Sequence, residues 1–173
     1  MAGLFERLFG YGSQGEGEPN TVYAPLAGKV IPLEEIGDGV FSEGILGNGC
    51  GLIPSVDKAV APFNGTVTQI ADTKHAIGLI SDSGIELLLH IGMDTVNMKG
   101  QGFHVPVSVG QKVKRGQLLM SFDRSAIQKA GFSIASAIVI VNTDAFSVKC
   151  AVENDSVRQG AVLLRVEKNP ELI

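Results

Sequence analysis

Two of the three histidines in this 173-residue chain, His75 and His90, fall within one short stretch, TKHAIGLISDSGIELLLHIGMDTV (73–96). A neutral imidazole is a nucleophile, and its pKa near neutrality keeps the free base available. Phosphoryl transfer asks the protein for in-line positioning and for donors around three equatorial oxygens. One histidine could attack phosphorus while the other donates a hydrogen bond to the phosphoryl group. The alternative chemistry is metal binding, since two histidines with Asp94 or another carboxylate would suit zinc. A zinc hydrolase would need a third ligand and usually a close His-x-His pair, which the sequence lacks. The plainest alternative is two histidines satisfied within a sheet. His104, beside Phe103 in a Gly-rich segment, has no such companion and reads as surface.

The residues around the pair predict a hairpin. Strand-like runs at His75–Ile80 and Ile85–Ile91 flank the turn segment Ser81-Asp82-Ser83-Gly84. A turn centred between Asp82 and Ser83 pairs Ile80 with Ile85 and, in the same register, His75 with His90. Directly paired residues bring their Cβ atoms to roughly 4.5–5.5 Å. A glycine bulge at Gly84 would slip that register by one. Alternation places Ile85, Leu87, Leu89 and Ile91 on one face, and Glu86, Leu88 and His90 on the other. Thr73, two residues before His75, could hold that ring in one tautomer. Backbone N–H groups near Gly92, where no side chain blocks approach, could supply further donors.

The rest of the chain reads as a scaffold of short strands. Glycine reaches 22 residues, aromatics only 6%, and hydrophobic residues 45%. That mixture suits many strands joined by tight turns rather than a helical bundle. APLAGKV (24–30) recurs as APFNGTV (61–67), and VKRGQLLMSF (113–122) recurs loosely as VRQGAVLLRV (157–166). Such echoes predict a compact antiparallel β-sandwich or barrel built from similar units. The one clear helix candidate runs from Asp123, as N-cap, to Ala130, with Gly131 as the stop. The net charge of −4 offers no basic footprint for nucleic acid. Cys50 and Cys150 have no zinc-type spacing and read as reduced residues in a reducing compartment. No apolar run is long enough to span a membrane, and no signal peptide precedes the chain, so cytoplasmic residence is expected. Residues 1–20 read as a flexible tail. Leu4, Phe5, Leu8 and Phe9 in it would make one apolar stripe if helical, giving at most weak membrane contact. Residues 21–173 then form a single domain.

LLLHIG followed by MDTVNMKGQGF resembles the signature of the glucose-type IIA component of the bacterial phosphoenolpyruvate-dependent sugar phosphotransferase system. The resemblance extends over residues 22–168 and includes APLAGKV, GDGVF (37–41), KAVAPFNGTV (58–67), TKHA (73–76) and GQKVKRG (110–116). MAGLFERLF is similar to the short membrane-touching tail of stand-alone members. The free N-terminus and short C-terminal tail point the same way.

The resemblance implies an antiparallel sandwich with duplicated β units and a shallow surface site. It implies phosphorylation of His90 on Nε2 by the carrier protein HPr, and onward transfer to a cysteine of a permease IIB domain. His75 corresponds to the second active-site histidine and Thr73 to its supporting threonine. Asp38 and Asp94 correspond to acidic residues beside the site, able to receive an Arg of the donor. Val40, Phe41, Ile45 and Val96 correspond to an apolar rim for partners, with Gly92 beside them. Where some members carry aromatics, this chain has Ala71, Ile77 and Leu88, a smaller rim. No cofactor is required; non-catalytic zinc between His75 and His90 is the one metal expected, completed by a partner's carboxylate. A monomer is expected, with regulatory binding that changes on phosphorylation, because the added charge of about −1.5 to −2 weakens apolar docking.

Overall fold

The computed structural model describes residues 17–170. The apolar stripe expected at the start of the chain lies outside the described residues, as does most of the linker after it. Among the described residues the strands are β1 (Thr21–Tyr23), β2 (Gly28–Ile31), β3 (Asn48–Pro54), β4 (Lys58–Val60), β5 (Gly65–Ile70), β6 (Ala76–Ser81) and β7 (Glu86–His90). They continue as β8 (Phe103–His104), β9 (Lys112–Val113), β10 (Leu118–Phe122), β11 (Ser136–Ile140), β12 (Phe146–Cys150), β13 (Ser156–Val157) and β14 (Val162–Lys168). One helix, α1 (Arg124–Lys129), lies between β10 and β11. Asp123 caps it by accepting from the Ala126 N–H at 3.0 Å, and Gly131 follows it at φ +87°. This matches the signals read in the sequence.

An eight-stranded sheet runs β13-β2-β3-β11-β7-β6-β5-β9, and two three-stranded sheets run β1-β14-β12 and β4-β10-β8. The strand pairings are antiparallel. The repeats noticed in the sequence account for this arrangement. APLAGKV supplies the start of β2, which pairs with β13 and β3; APFNGTV supplies the start of β5, which pairs with β9 and β6. In both copies the glycine permits backbone contact: a Cβ on Gly28 would stand 2.1 Å from the Ile53 carbonyl oxygen, and one on Gly65 2.1 Å from that of Ile80. The copies also exchange hydrogen bonds reciprocally. The Tyr23 N–H donates to the Pro62 carbonyl at 2.9 Å, and the Val60 N–H to the Pro25 carbonyl at 3.0 Å. The large sheet therefore reads alike from either end, and its centre lies between β11 and β7.

The main core fills the space between the sheets. Ile77, Leu79, Leu87, Leu89 and Ile138 are among its fully buried side chains. Ile85, Leu87, Leu89 and Ile91 share its face as the alternation predicts. A smaller cluster of Leu33, Phe41, Met93, Ala137 and Val139 packs elsewhere, with Ile36 and Leu88 against it. A single 3-10 turn, Leu33–Ile36, contributes two of these residues.

Three expectations need correction. The hairpin register differs by one residue: β6 and β7 pair Ala76 with His90 and Ile80 with Glu86. Gly84 at φ +93° is the cause. Its N–H donates to the Ser81 carbonyl at 3.0 Å, and Ser81 closes on Ile85, which lengthens the loop to Asp82-Ser83-Gly84. Ile77 is not on any rim, being fully buried in the main core. The tail does not extend to residue 20. The Asn20 carbonyl accepts from the Val166 N–H at 2.9 Å, and the Glu18 N–H donates to the Tyr23 hydroxyl at 2.8 Å.

Candidate active site

β7 delivers His90 at its last residue, between Ala76 on β6 and Ala137 on β11. Two alanines as sheet neighbours leave room above them for an imidazole. His75 precedes the first residue of β6 and follows Lys74, whose φ of +63° lies in the left-handed region. The turn is closed by the Lys74 N–H to the Ala71 carbonyl at 2.8 Å and the Ala71 N–H to the Ala76 carbonyl at 3.0 Å. The His75 carbonyl still accepts from the Ile91 N–H at 2.8 Å, which ties it to the end of β7. The two rings consequently meet although the residues are not a paired couple. Their centroids lie 4.8 Å apart with the planes at 79°.

Each ring has a fixed nitrogen. Nδ1 of His90 lies 2.8 Å from the Gly92 carbonyl oxygen. A carbonyl only accepts, so Nδ1 carries the proton and Nε2 keeps the lone pair. Nδ1 of His75 lies 2.8 Å from the Thr73 hydroxyl. A hydroxyl donating there leaves the His75 proton on Nε2, able to donate to an anion near His90. Burial pushes His90 down to about 4, helped by the neighbouring His75 and opposed by the Gly92 hydrogen bond, Asp38 and Asp94. Burial also pushes His75 below its ordinary value, opposed by the backbone of Thr73 and not by its hydroxyl. At neutral pH His90 is therefore a neutral base, the form in which imidazole is nucleophilic.

Gly92 differs from expectation. Its N–H donates to the Ser136 hydroxyl at 3.1 Å, and the Met93 N–H donates to the Ser133 carbonyl at 3.0 Å. Neither is left for an incoming phosphoryl group. Gly92 instead offers its carbonyl to His90, and at φ +71° a Cβ would meet Thr95 Cγ2 at 2.5 Å. Ser136, fully buried, also donates to the Ile134 carbonyl at 3.0 Å. No residue pattern points to Ser136, because it lies on β11, far along the chain from the histidines.

Asp38 works chiefly as a loop clasp. Its carboxylate accepts from the Val40, Phe41 and Ser42 N–H groups at 3.2, 3.2 and 3.1 Å. Burial alone would raise its pKa, but those hydrogen bonds outweigh burial and hold it below the usual carboxylate range. The clasp sets Phe41, whose ring centroid lies 5.0 Å from that of His90. Phe41 is only 5% exposed, so it forms the floor beside His90 and not the docking rim expected of it. Val40, Ile45 and Val96 are exposed as a rim requires, and Leu46, which sequence reasoning passed over, is exposed with them. Asp94 is exposed in the left-handed region at φ 61°, preceding the 3-10 turn Thr95–Met98. Leu88 is half-buried against the smaller cluster and Ala71 is half-buried in its turn. His104 is exposed on β8, paired with Ser121.

An antiparallel β-sandwich that sets a neutral histidine beside a second one in an apolar surround has the architecture of a sugar phosphotransferase IIA component. Residues 20–146 match the family described as phosphoenolpyruvate-dependent sugar phosphotransferase system, EIIA 1, and the chain belongs to that family. It is 41% identical over 149 residues to the PTS system beta-glucoside-specific EIIBCA component of Bacillus subtilis (strain 168). That alignment covers 86% of this chain and 24% of the relative, so the chain spans about a quarter of that protein. Its fold is similar to that of the glucose permease IIA from Mycoplasma capricolum, with TM-score 0.78 and 38% identity. The similarity covers 83% of this chain and 93% of that one. Among the described residues no helix is long and apolar enough to cross a membrane.

Proposed function

We propose that the chain is a phosphocarrier in sugar uptake: Nε2 of His90 accepts a phosphoryl group from phospho-HPr and passes it to a cysteine of a glucose-class permease IIB domain. The supporting observation is the 2.8 Å contact between His90 Nδ1 and the Gly92 carbonyl, which commits one nitrogen and leaves the other nucleophilic. Transfer forms the Nε2–P bond as the donor's N–P bond breaks, and the donor imidazole keeps the electron pair. His75 stabilises the equatorial oxygens through its Nε2–H, and Thr73 keeps that tautomer. Asp38 and Asp94 add negative potential toward a donor Arg, while Val40, Ile45, Leu46 and Val96 give partners an apolar seat.

The reading carries cytoplasmic residence, a monomeric carrier, and regulatory binding that weakens when His90 is phosphorylated. It requires no cofactor. Zinc between His75 and His90 is a separate proposal. Among the described residues no group of three or more His, Cys, Asp or Glu is arranged to hold a metal, so its remaining ligands would come from a partner. The test is incubation of the chain with HPr, its upstream kinase and phosphoenolpyruvate. One acid-labile, base-stable phosphate mapping to His90 by mass spectrometry supports the reading; unchanged labelling of His90→Ala overturns it.

A further inference from the structure

Cys50 and Cys150 are both free thiols, and the histidine chemistry uses neither. Cys50 is 1% exposed in β3, an interior strand of the eight-stranded sheet. Cys150 is half-buried and ends β12, an edge strand of its three-stranded sheet. Sγ of Cys150 lies 3.4 Å from the carbonyl oxygen of Gly49, the residue immediately before Cys50. The Cys150 S–H donates to that carbonyl, which sets its sulfur beside the backbone that carries Cys50. Both line one cleft of about 270 Å³, together with Pro32, Leu33, Glu34 and Glu153. A thiol pair that lines one surface cleft, one member on an interior strand and the other on a sheet edge, is a redox-capable arrangement.

We propose that Cys50 and Cys150 form an oxidisable dithiol that a small hydroperoxide entering this cleft converts to an intramolecular disulfide. The Cys150 thiolate attacks one peroxide oxygen, so an S–O bond forms as the O–O bond breaks. With hydrogen peroxide the departing hydroxide takes up the proton released by Cys150 and leaves as water. The Cys50 sulfur then attacks the resulting sulfenic acid, losing its proton. The S–O bond breaks, and the displaced hydroxide leaves as a second water. Two electrons pass from the sulfur pair to one peroxide.

The order of events follows from the surroundings. Cys150 is half-buried at the end of an edge strand, where a peroxide in the cleft reaches its sulfur, whereas Cys50 is 1% exposed. Proximity to Cys150 and burial push the Cys50 thiol well up. The half-buried sulfur is thus the attacking one and the buried sulfur resolves it. As an edge strand, β12 pairs along only one side, with β14, which lets it shift to the roughly 2.05 Å sulfur separation a disulfide requires.

Hydrogen peroxide added to the reduced full chain tests this. The expected product has lost two hydrogen atoms (about 2 Da) and yields one digest peptide joining Cys50 to Cys150 that dithiothreitol separates. Cys50→Ala is expected to stop at a sulfenic acid on Cys150, trapped by dimedone. Cys150→Ser, at the more tolerant half-buried position, is expected to lose peroxide reactivity. Sulfinic acid without the cross-link, disulfides only between separate chains, or a Cys150→Ser variant that reacts as fast as the parent would each overturn the proposal.

Discussion

His90 gives its Nδ1 proton to the carbonyl of Gly92, two residues ahead in the same chain, at 2.8 Å. The next link is Ser136, whose hydroxyl takes the Gly92 N–H at 3.1 Å. The tautomer of His90 thus depends on a serine on a neighbouring strand.

Ser136→Ala leaves the Gly92 N–H buried without its acceptor. The expected loss is about 1–3 kcal/mol of stability, read from urea unfolding, and slower phosphate acceptance as the Gly92 carbonyl loosens. A variant as stable and as fast as the parent would remove Ser136 from the support of the site.

The roles proposed for His75 and Thr73 separate accepting from donating. His75→Gln is expected to accept phosphate on His90 yet to pass it on roughly 10²–10³-fold more slowly, the usual cost of losing one transition-state donor. Thr73→Val is expected to act in the same direction by about 10-fold, since it frees the ring that the hydroxyl orients. Single-turnover transfer to a IIB domain is the measurement, and normal onward transfer by His75→Gln would exclude the role.

The pH dependence of stability has a definite sign. His90 sits near pH 4 in the folded chain against 6.5 for an unperturbed ring, so between those values the unfolded chain binds the extra proton. Its contribution is fully present above 6.5 and is lost as pH falls toward about 4. His75, also lowered, acts in the same direction. Urea midpoints measured across this window should fall more steeply for the parent than for His90→Ala; equal slopes would contradict the assignment. Phosphate acceptance should persist below pH 6.5, because the nucleophile stays unprotonated there.

Phe41 and Ile45 lie close in sequence but differ in kind. Ile45, 66% exposed, should tolerate Ile45→Lys without loss of stability while partner-dependent transfer weakens through KM. Phe41→Ala should instead cost about 3–5 kcal/mol, as a buried aromatic truncation does. Thermal unfolding beside transfer kinetics separates the two, and a stable Phe41→Ala would refute its place as the floor.

Local signals made much of this fold legible. Asp123 and Gly131 bracket α1 as their chemistry requires, and the alternation through Ile85, Leu87, Leu89 and Ile91 gives the buried face of the hairpin. The histidine juxtaposition was legible through a register that is off by one. Gly84 lengthens the loop, and Lys74 in its left-handed conformation precedes the histidine that the slip would have carried away. Ser136 and the clasp at Asp38 were not legible. One acts across a long-range strand pairing, and the other through backbone N–H groups that a residue pattern does not display. Ile77, one residue on from the Ala76 that pairs with His90, lies on the opposite, buried face of β6, so the rim expected of it is not formed there.

The bonds traded between Tyr23 and Pro62, and between Val60 and Pro25, mean that neither copy of the repeated unit seals its own end. Half a molecule, made alone, would present bare peptide groups where its twin should sit. Melting ought accordingly to proceed in one step across both halves, and co-expressed fragments divided between the copies should rescue each other. The large sheet joins them between β11 and β7, so His90 stands beside that seam and takes its shape from both.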